Sequence, residues 1–266
     1  MISKEVLNKY HNWFDNYINQ FLDQYPDLKE NIIIKADHCR KVSQEILSIA
    51  KSLNLSETEI LLAETIGLFH DVGRFRQYVK YQTFSDSKSQ NHSKLGIEVL
   101  QENYVLNDLS AEMQEIIYKS IINHSRAKII PDQNKQVLFY SQLIRDADKL
   151  DIWRLITEYY MLKDEKKNKT LELELPDSVG ISNEVFEAII NKKVVLKESM
   201  KTLNDFKLLQ IGWLFDLNYN YSIKRLYEKK YLERIFKTLP DNGQVHQIKG
   251  IVDGYFQKHI ETFTYK

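Results

Sequence analysis

Cysteine is almost absent: the single Cys39 excludes an internal disulfide framework and fits a reducing cytosol. Neither sign of charge is in excess, since 37 Lys and Arg balance 37 Asp and Glu across 266 residues. That balance removes the broad basic surface of a general nucleic-acid binder and leaves room only for a local basic pocket. No apolar run approaches the roughly 20 residues of a spanning helix. Residues 1–21 mix polar and aromatic groups without the apolar centre of a signal peptide. The expectation is a cytoplasmic protein with no membrane partner. Breakers are also scarce, with 4 prolines and 8 glycines, so long segments can hold helical spacing. The predicted fold class is all-α.

What is present is a succession of amphipathic helices. Val6, Tyr10, Trp13, Phe14, Tyr17 and Phe21 recur at three- and four-residue steps over residues 3–24, and Pro26 ends that helix. A second helix over residues 29–53 carries Ile34, His38, Val42, Ile46 and Ile49 on one face. Ser56 to Glu59 reads as a capping box for a third, with Ile60, Ala63, Gly67 and His70 inward. Residues 80–91 form a polar loop, after which His92, Leu95, Gly96 and Val99 begin a helix to about Tyr104. Ser110 caps the next, which aligns Met113, Ile117, Ser120, Ile121 and His124. From Lys135 to about Leu162 the inward face reads Val137, Ser141, Ile144, Asp148 and Asp151. Residues 163–169 are a charge run, and Leu171 to Leu175 alternate as a short strand or hairpin arm would. Helical spacing returns from Ser182, and Trp213 to Tyr221 is the densest aromatic patch, a surface suited to packing or to a homodimer.

The chemistry centres on Gly67-Leu68-Phe69-His70-Asp71-Val72-Gly73-Arg74-Phe75. Imidazole and carboxylate are both ligands for divalent metals. Adjacent residues do not share a helix face, so His70 and Asp71 reach one point only where the helix loosens, which Val72-Gly73 permits. Taken alone, such a pair is more often a buried histidine bonded to its neighbour. The other histidines change the reading. His38, His70, His92 and His124 fall on different helices, each in line with that helix's apolar stripe. With Asp71 and Asp148, six ligand-type side chains converge on one interior point. Each would cost about 1–3 kcal/mol if left there unsatisfied. A metal centre accounts for all of them together.

These residues resemble the signature of the HD superfamily of metal-dependent phosphohydrolases: a His, a His-Asp pair and a distant Asp, here His38, His70-Asp71 and Asp148. The Ala147-Asp148-Lys149-Leu150 context selects Asp148, and helical phase agrees, since Asp146 is two residues out of line. Asp151 shares the face and remains an alternative or a partner to a ligand. Asn91-His92-Ser93-Lys94-Leu95-Gly96 and Asn123-His124-Ser125 look like the two further histidines of the dinuclear branch. No Gly-Tyr-Pro motif follows the last histidine, so the resemblance does not extend to cyclic-di-GMP specificity.

The resemblance implies an HD-domain helical bundle over residues 1–165, a linker or short hairpin at 166–180, and a helical extension packed on the bundle at 181–266. It implies two divalent ions per chain (Mn, Fe, Mg, Zn, Co or Ni) held by His38, His70, Asp71, His92, His124 and Asp148, with Asp71 bridging. Arg74, three residues beyond Asp71, would touch the phosphate, and Arg76, Lys94, Arg126 and Lys149 are weaker candidates. The expected activity is hydrolysis of a small phosphorylated substrate such as a nucleotide by metal-activated water. The same ligands would serve a mixed-valent diiron oxygenase of the superfamily, or a catalytically silent nucleotide-binding module.

Overall fold

A computed structural model of the chain describes residues 2–130, 134–162, 171–173 and 175–263. It is helical throughout, with no strand among the described residues. The backbone divides into two compact units, residues 1–151 and 152–266. The division falls inside a long helix, ahead of the charge run at 163–169, all of which lies outside the described residues.

The first unit opens with α1 (Lys4–Gln24), whose Ser3 hydroxyl accepts the Val6 amide at its start. Leu7, Tyr10, Phe14, Tyr17 and Ile18 make its buried face, and the helix gives way to a 3-10 turn at Pro26–Leu28. Next come α2 (Lys29–Ser52) and α3 (Glu57–Phe69). The Glu59 carboxylate accepts from both the Ser56 amide and hydroxyl, 2.8 and 2.6 Å away, and so fixes the start of α3. A Cβ on Gly67 would come within 2.7 Å of Ile46 and 2.9 Å of the Ser43 backbone, so α2 and α3 approach more closely than any larger residue allows.

After a turn over residues 70–72 the chain enters α4 (Gly73–Tyr81), a 3-10 turn at Asp86–Lys88, and α5 (His92–Glu102), which Asn91 caps through the Lys94 amide. Then follow α6 (Ala111–His124), capped by Ser110, and α7 (Lys135–Tyr159). Gly73 was expected to let the chain turn. No glycine in the chain has a positive φ, and the reason for Gly73 is different: a Cβ there would land on the His92 carbonyl oxygen and the Gly96 nitrogen. The glycine presses α4 against the first turn of α5. Ile46, Ile66, Phe69, Val99, Ile117, Ile121 and Ile144 fill the core, each worth about 1.5–3 kcal/mol on burial.

The second unit holds the end of α7 with α8 (Asn183–Ile190), α9 (Leu203–Gly212), α10 (Asn220–Glu228), α11 (Tyr231–Phe236) and α12 (Gly243–Phe263). Trp153 is fully buried, its indole donating to the Gln210 carbonyl at 3.0 Å. Asp205 ties down the entry to α9, accepting from the amides of Ser182, Lys201 and Thr202. The alternating segment does not form the expected strand among the described residues: 171–173 is a turn with Leu173 at φ 55. An isolated strand has no partner for its backbone groups, so alternation without a neighbour is insufficient.

Candidate metal centre

The first unit brings all six expected ligands together. Ligand atoms of His38, His70 and Asp71, of His70, His124 and Asp148, and of Asp71, His92 and His124 lie within 4.8 Å of one another in each group. His38 comes from the middle of α2, His92 from the first position of α5, His124 from the last of α6, and Asp148 from α7. His70 follows the last residue of α3, where the helix passes into the turn at 70–72, and this break lets Asp71 reach the same interior point. The four imidazoles and Asp71 are buried.

Asp71 divides its two oxygens between two pairs of rings. Oδ2 is 3.7 Å from Nε2 of His38 and of His70, while Oδ1 is 3.2 Å from Nε2 of His92 and 3.7 Å from that of His124. Asp148 Oδ1 sits 3.1 Å from His38 Nε2 and 3.6 Å from His70 Nε2.

The outer ring nitrogens settle which lone pairs face inward. His70 Nδ1 lies 2.8 Å from the Gly67 carbonyl and His124 Nδ1 2.6 Å from that of Ile121. A carbonyl oxygen has no proton to give, so both Nδ1 atoms carry the hydrogen. His92 Nδ1 donates to Asp86, 2.9 and 2.8 Å from its two oxygens, and His38 Nδ1 donates to Asp151 Oδ2 at 2.8 Å. His92 and His124 therefore turn Nε2 lone pairs toward each other across 3.2 Å, with a carboxylate beside them and the Ser93 hydroxyl 3.3 Å from His92 Nε2. Acceptors gathered this way repel unless a cation stands among them. Neutral nitrogens and carboxylate oxygens suit borderline divalent metals, and a carboxylate or carbonyl behind each ring is the usual way of aiming such ligands. The residues fit a metal.

The electrostatics agree. Burial alone would raise the Asp71 carboxyl, but Lys35 and Arg74 overcome it and hold it well below the usual carboxylate range. Burial and Arg74 lower the His92 imidazole to about 3, which keeps it neutral. Burial and Lys35 also press His38 down, yet Asp148 and Asp151 outweigh them, and its affinity for a proton is raised. The field that attracts a proton there attracts a divalent ion equally.

Arg74, expected to touch phosphate, is held by the protein. Its Nε donates to Asp71 Oδ1 at 3.3 Å, and Nη1 to the Gln77 side chain, the Phe84 carbonyl and Asp86 at 2.9, 2.6 and 2.9 Å. Arg76 pairs with Glu102. Two residues at the centre escaped the sequence reading: Lys35, whose Nζ is 2.9 Å from Asp71 Oδ2, and Asp86; of the two roles open to Asp151, the structure gives it that of partner to His38. Lys35 had a sequence signal, standing one helical turn before His38, whereas Asp86 lies in a loop with no periodicity to reveal it. The remaining histidines are elsewhere: His11 faces Glu64, His246 pairs with Asp241, and His259 bonds the Tyr255 carbonyl.

Comparison with known families agrees with this geometry. The HD domain family model matches residues 36–153, a span that contains every one of the six ligands. The match supports the HD superfamily, whose members are generally metal-dependent hydrolases. No curated protein and no solved structure matches the chain.

Proposed function

We propose that this chain is a metal-dependent phosphohydrolase acting on a nucleotide or another small phosphorylated metabolite, with two divalent ions at the centre. The observation that carries the reading is the division of Asp71 between two histidine pairs, since one carboxylate oxygen faces each pair. His38, His70 and Asp148 would hold one ion, His92 and His124 the other, and Asp71 both. Bound there, the ions would supply Lewis-acid chemistry, making a water nucleophilic near neutral pH and drawing charge from the phosphate oxygens.

The chain's own residues do the rest. Asp151, Asp86 and the carbonyls of Gly67 and Ile121 hold the imidazoles in the tautomer that leaves Nε2 free. Lys35 and Arg74 keep Asp71 ionised, so that it needs no deprotonation before it can bind a cation. Side-chain exposure is 4% at Asp71 and 16% at Asp148, so Asp148 is the more open of the two carboxylates. In the reaction, water adds to phosphorus, the ester or anhydride bond breaks, and the leaving oxygen ends protonated.

The experiment is phosphate release from a panel of nucleotides and sugar phosphates by protein reconstituted with Mn, Mg, Co, Ni or Zn. Asp71→Ala is expected to abolish both release and metal retention. Unchanged metal content and turnover in that variant would overturn the assignment. A coupled iron pair that consumes dioxygen would move the chain to the oxygenase reading.

A further inference from the structure

Two cations flank Asp71, and they are differently engaged. Arg74 spends Nε and Nη1 on four acceptors within the protein, two of which, the Phe84 carbonyl and Asp86, bind α4 to the loop at 82–91. Among the described residues Lys35 makes one hydrogen bond, to Asp71 Oδ2 at 2.9 Å, out of the three an ammonium can donate. Its remaining recorded contact is with the Phe84 ring, whose centroid is 5.3 Å from Nζ. Phe84 in turn stacks on Tyr78 at 4.6 Å, so the surface beneath the lysine is fixed. The Lys35 side chain is 17% exposed against 4% for Asp71, which puts a cation with unused donors on the solvent side of the carboxylate.

We propose that Lys35 is a residue that contacts the substrate phosphate. This rests on the phosphohydrolase reading and assigns the phosphate contact of that same site. Asp71 Oδ2 is the oxygen that faces His38 and His70. With an ion held at that oxygen, Asp71 would no longer need the ammonium as its counter-charge, and Lys35 would be free to leave it. The four-carbon stem then lets the ammonium re-aim without moving α2, and a phosphate oxygen is a stronger acceptor than the neutral groups nearby. Arg74 keeps its two Nη2 hydrogens without a partner among the described residues, but it cannot swing as a whole, because leaving the acceptors of Nε and Nη1 would release the loop that orients His92 through Asp86. Lys35 stands one turn from His38 on the same helix, so the ligand and the phosphate contact are positioned together.

The test uses the full chain loaded with Mn, inorganic phosphate as the probe, and Lys35→Met beside Lys35→Arg. Metal content, melting temperature and phosphate Kd are measured for each. The expected result is full metal content and an unchanged melting temperature in Lys35→Met, with phosphate Kd weakened about 10- to 100-fold and partly restored in Lys35→Arg. A lysine that only neutralises Asp71 would instead show loss of metal with no separate loss of phosphate affinity, which overturns the proposal. Equal phosphate affinity in wild type and Lys35→Met overturns it while leaving the phosphohydrolase reading intact. A wild type that takes up metal but binds no phosphate overturns both.

Discussion

His38 Nδ1 donates to Asp151 Oδ2 at 2.8 Å while its Nε2 faces Asp148 at 3.1 Å, so two aspartates one helical turn apart hold opposite edges of one ring. The ring cannot rotate without losing one of them. Asp151→Ala should therefore lower metal affinity about 10- to 100-fold, the usual cost of removing the partner behind a histidine ligand. Titration calorimetry with Mn or Zn checks this. Unaltered affinity would mean that helix packing alone aims His38.

Asp86 plays the corresponding part for His92, and its own carboxyl is held below the usual range despite burial by His92 and Arg74. Asp86→Ala should weaken the ion at His92 and His124 by a similar factor and spare the one at His38. Elemental analysis after dialysis would show close to one metal retained. Loss of both, or of neither, would contradict the division of ligands between two ions.

Gly73→Ala tests the contact between α4 and α5. A methyl aimed at the His92 carbonyl must push the first turn of α5 outward, at a cost of about 1–3 kcal/mol. Gly250→Ala is the control: it lies in α12 and its Cβ meets nothing within 4 Å. Replacing a helical glycine there should gain up to about 1 kcal/mol. Thermal melts of the pair are expected to move in opposite directions, with only Gly73→Ala losing metal.

Tyr10 is buried with no hydrogen-bond partner for its hydroxyl among the described residues, and burial raises its phenol from 10.0 to beyond the ordinary range. The folded state thus keeps a proton that the unfolded chain gives up near pH 10. Its contribution is complete below that pH and is lost as pH rises toward the folded value. Tyr10→Phe should be more stable by about 1 kcal/mol at pH 7, and its melting temperature should fall less steeply between pH 10 and 12 than that of wild type.

Much of the centre was legible because a helix converts spacing into direction. His38, His92, His124 and Asp148 each continue an apolar stripe, and every stripe turned out to face the same core. The capping residues Ser56, Ser110 and Asn91 were equally local, although Asn91 was read for its place beside His92 rather than as a cap. What escaped depends on separation along the chain. Lys35 meets Asp71 from 36 residues away, and Asp86 reaches Arg74 and His92 from a polar loop. No period marks Asp86, and the helical turn between Lys35 and His38 gives Lys35 a direction without naming its partner. The break expected beside Gly73 is there at 70–72, but the glycine serves another end: its missing side chain admits a neighbouring helix.

The central claim is that Asp71 serves two ions at once. The most direct measurement is metal stoichiometry per chain in reconstituted wild type, His92→Ala and Asp71→Ala, with circular dichroism to verify that the helices persist. About two ions, about one and about none are expected respectively. Stoichiometry that stays at one and ignores His92 would contradict it, leaving a mononuclear site around His38, His70 and Asp148.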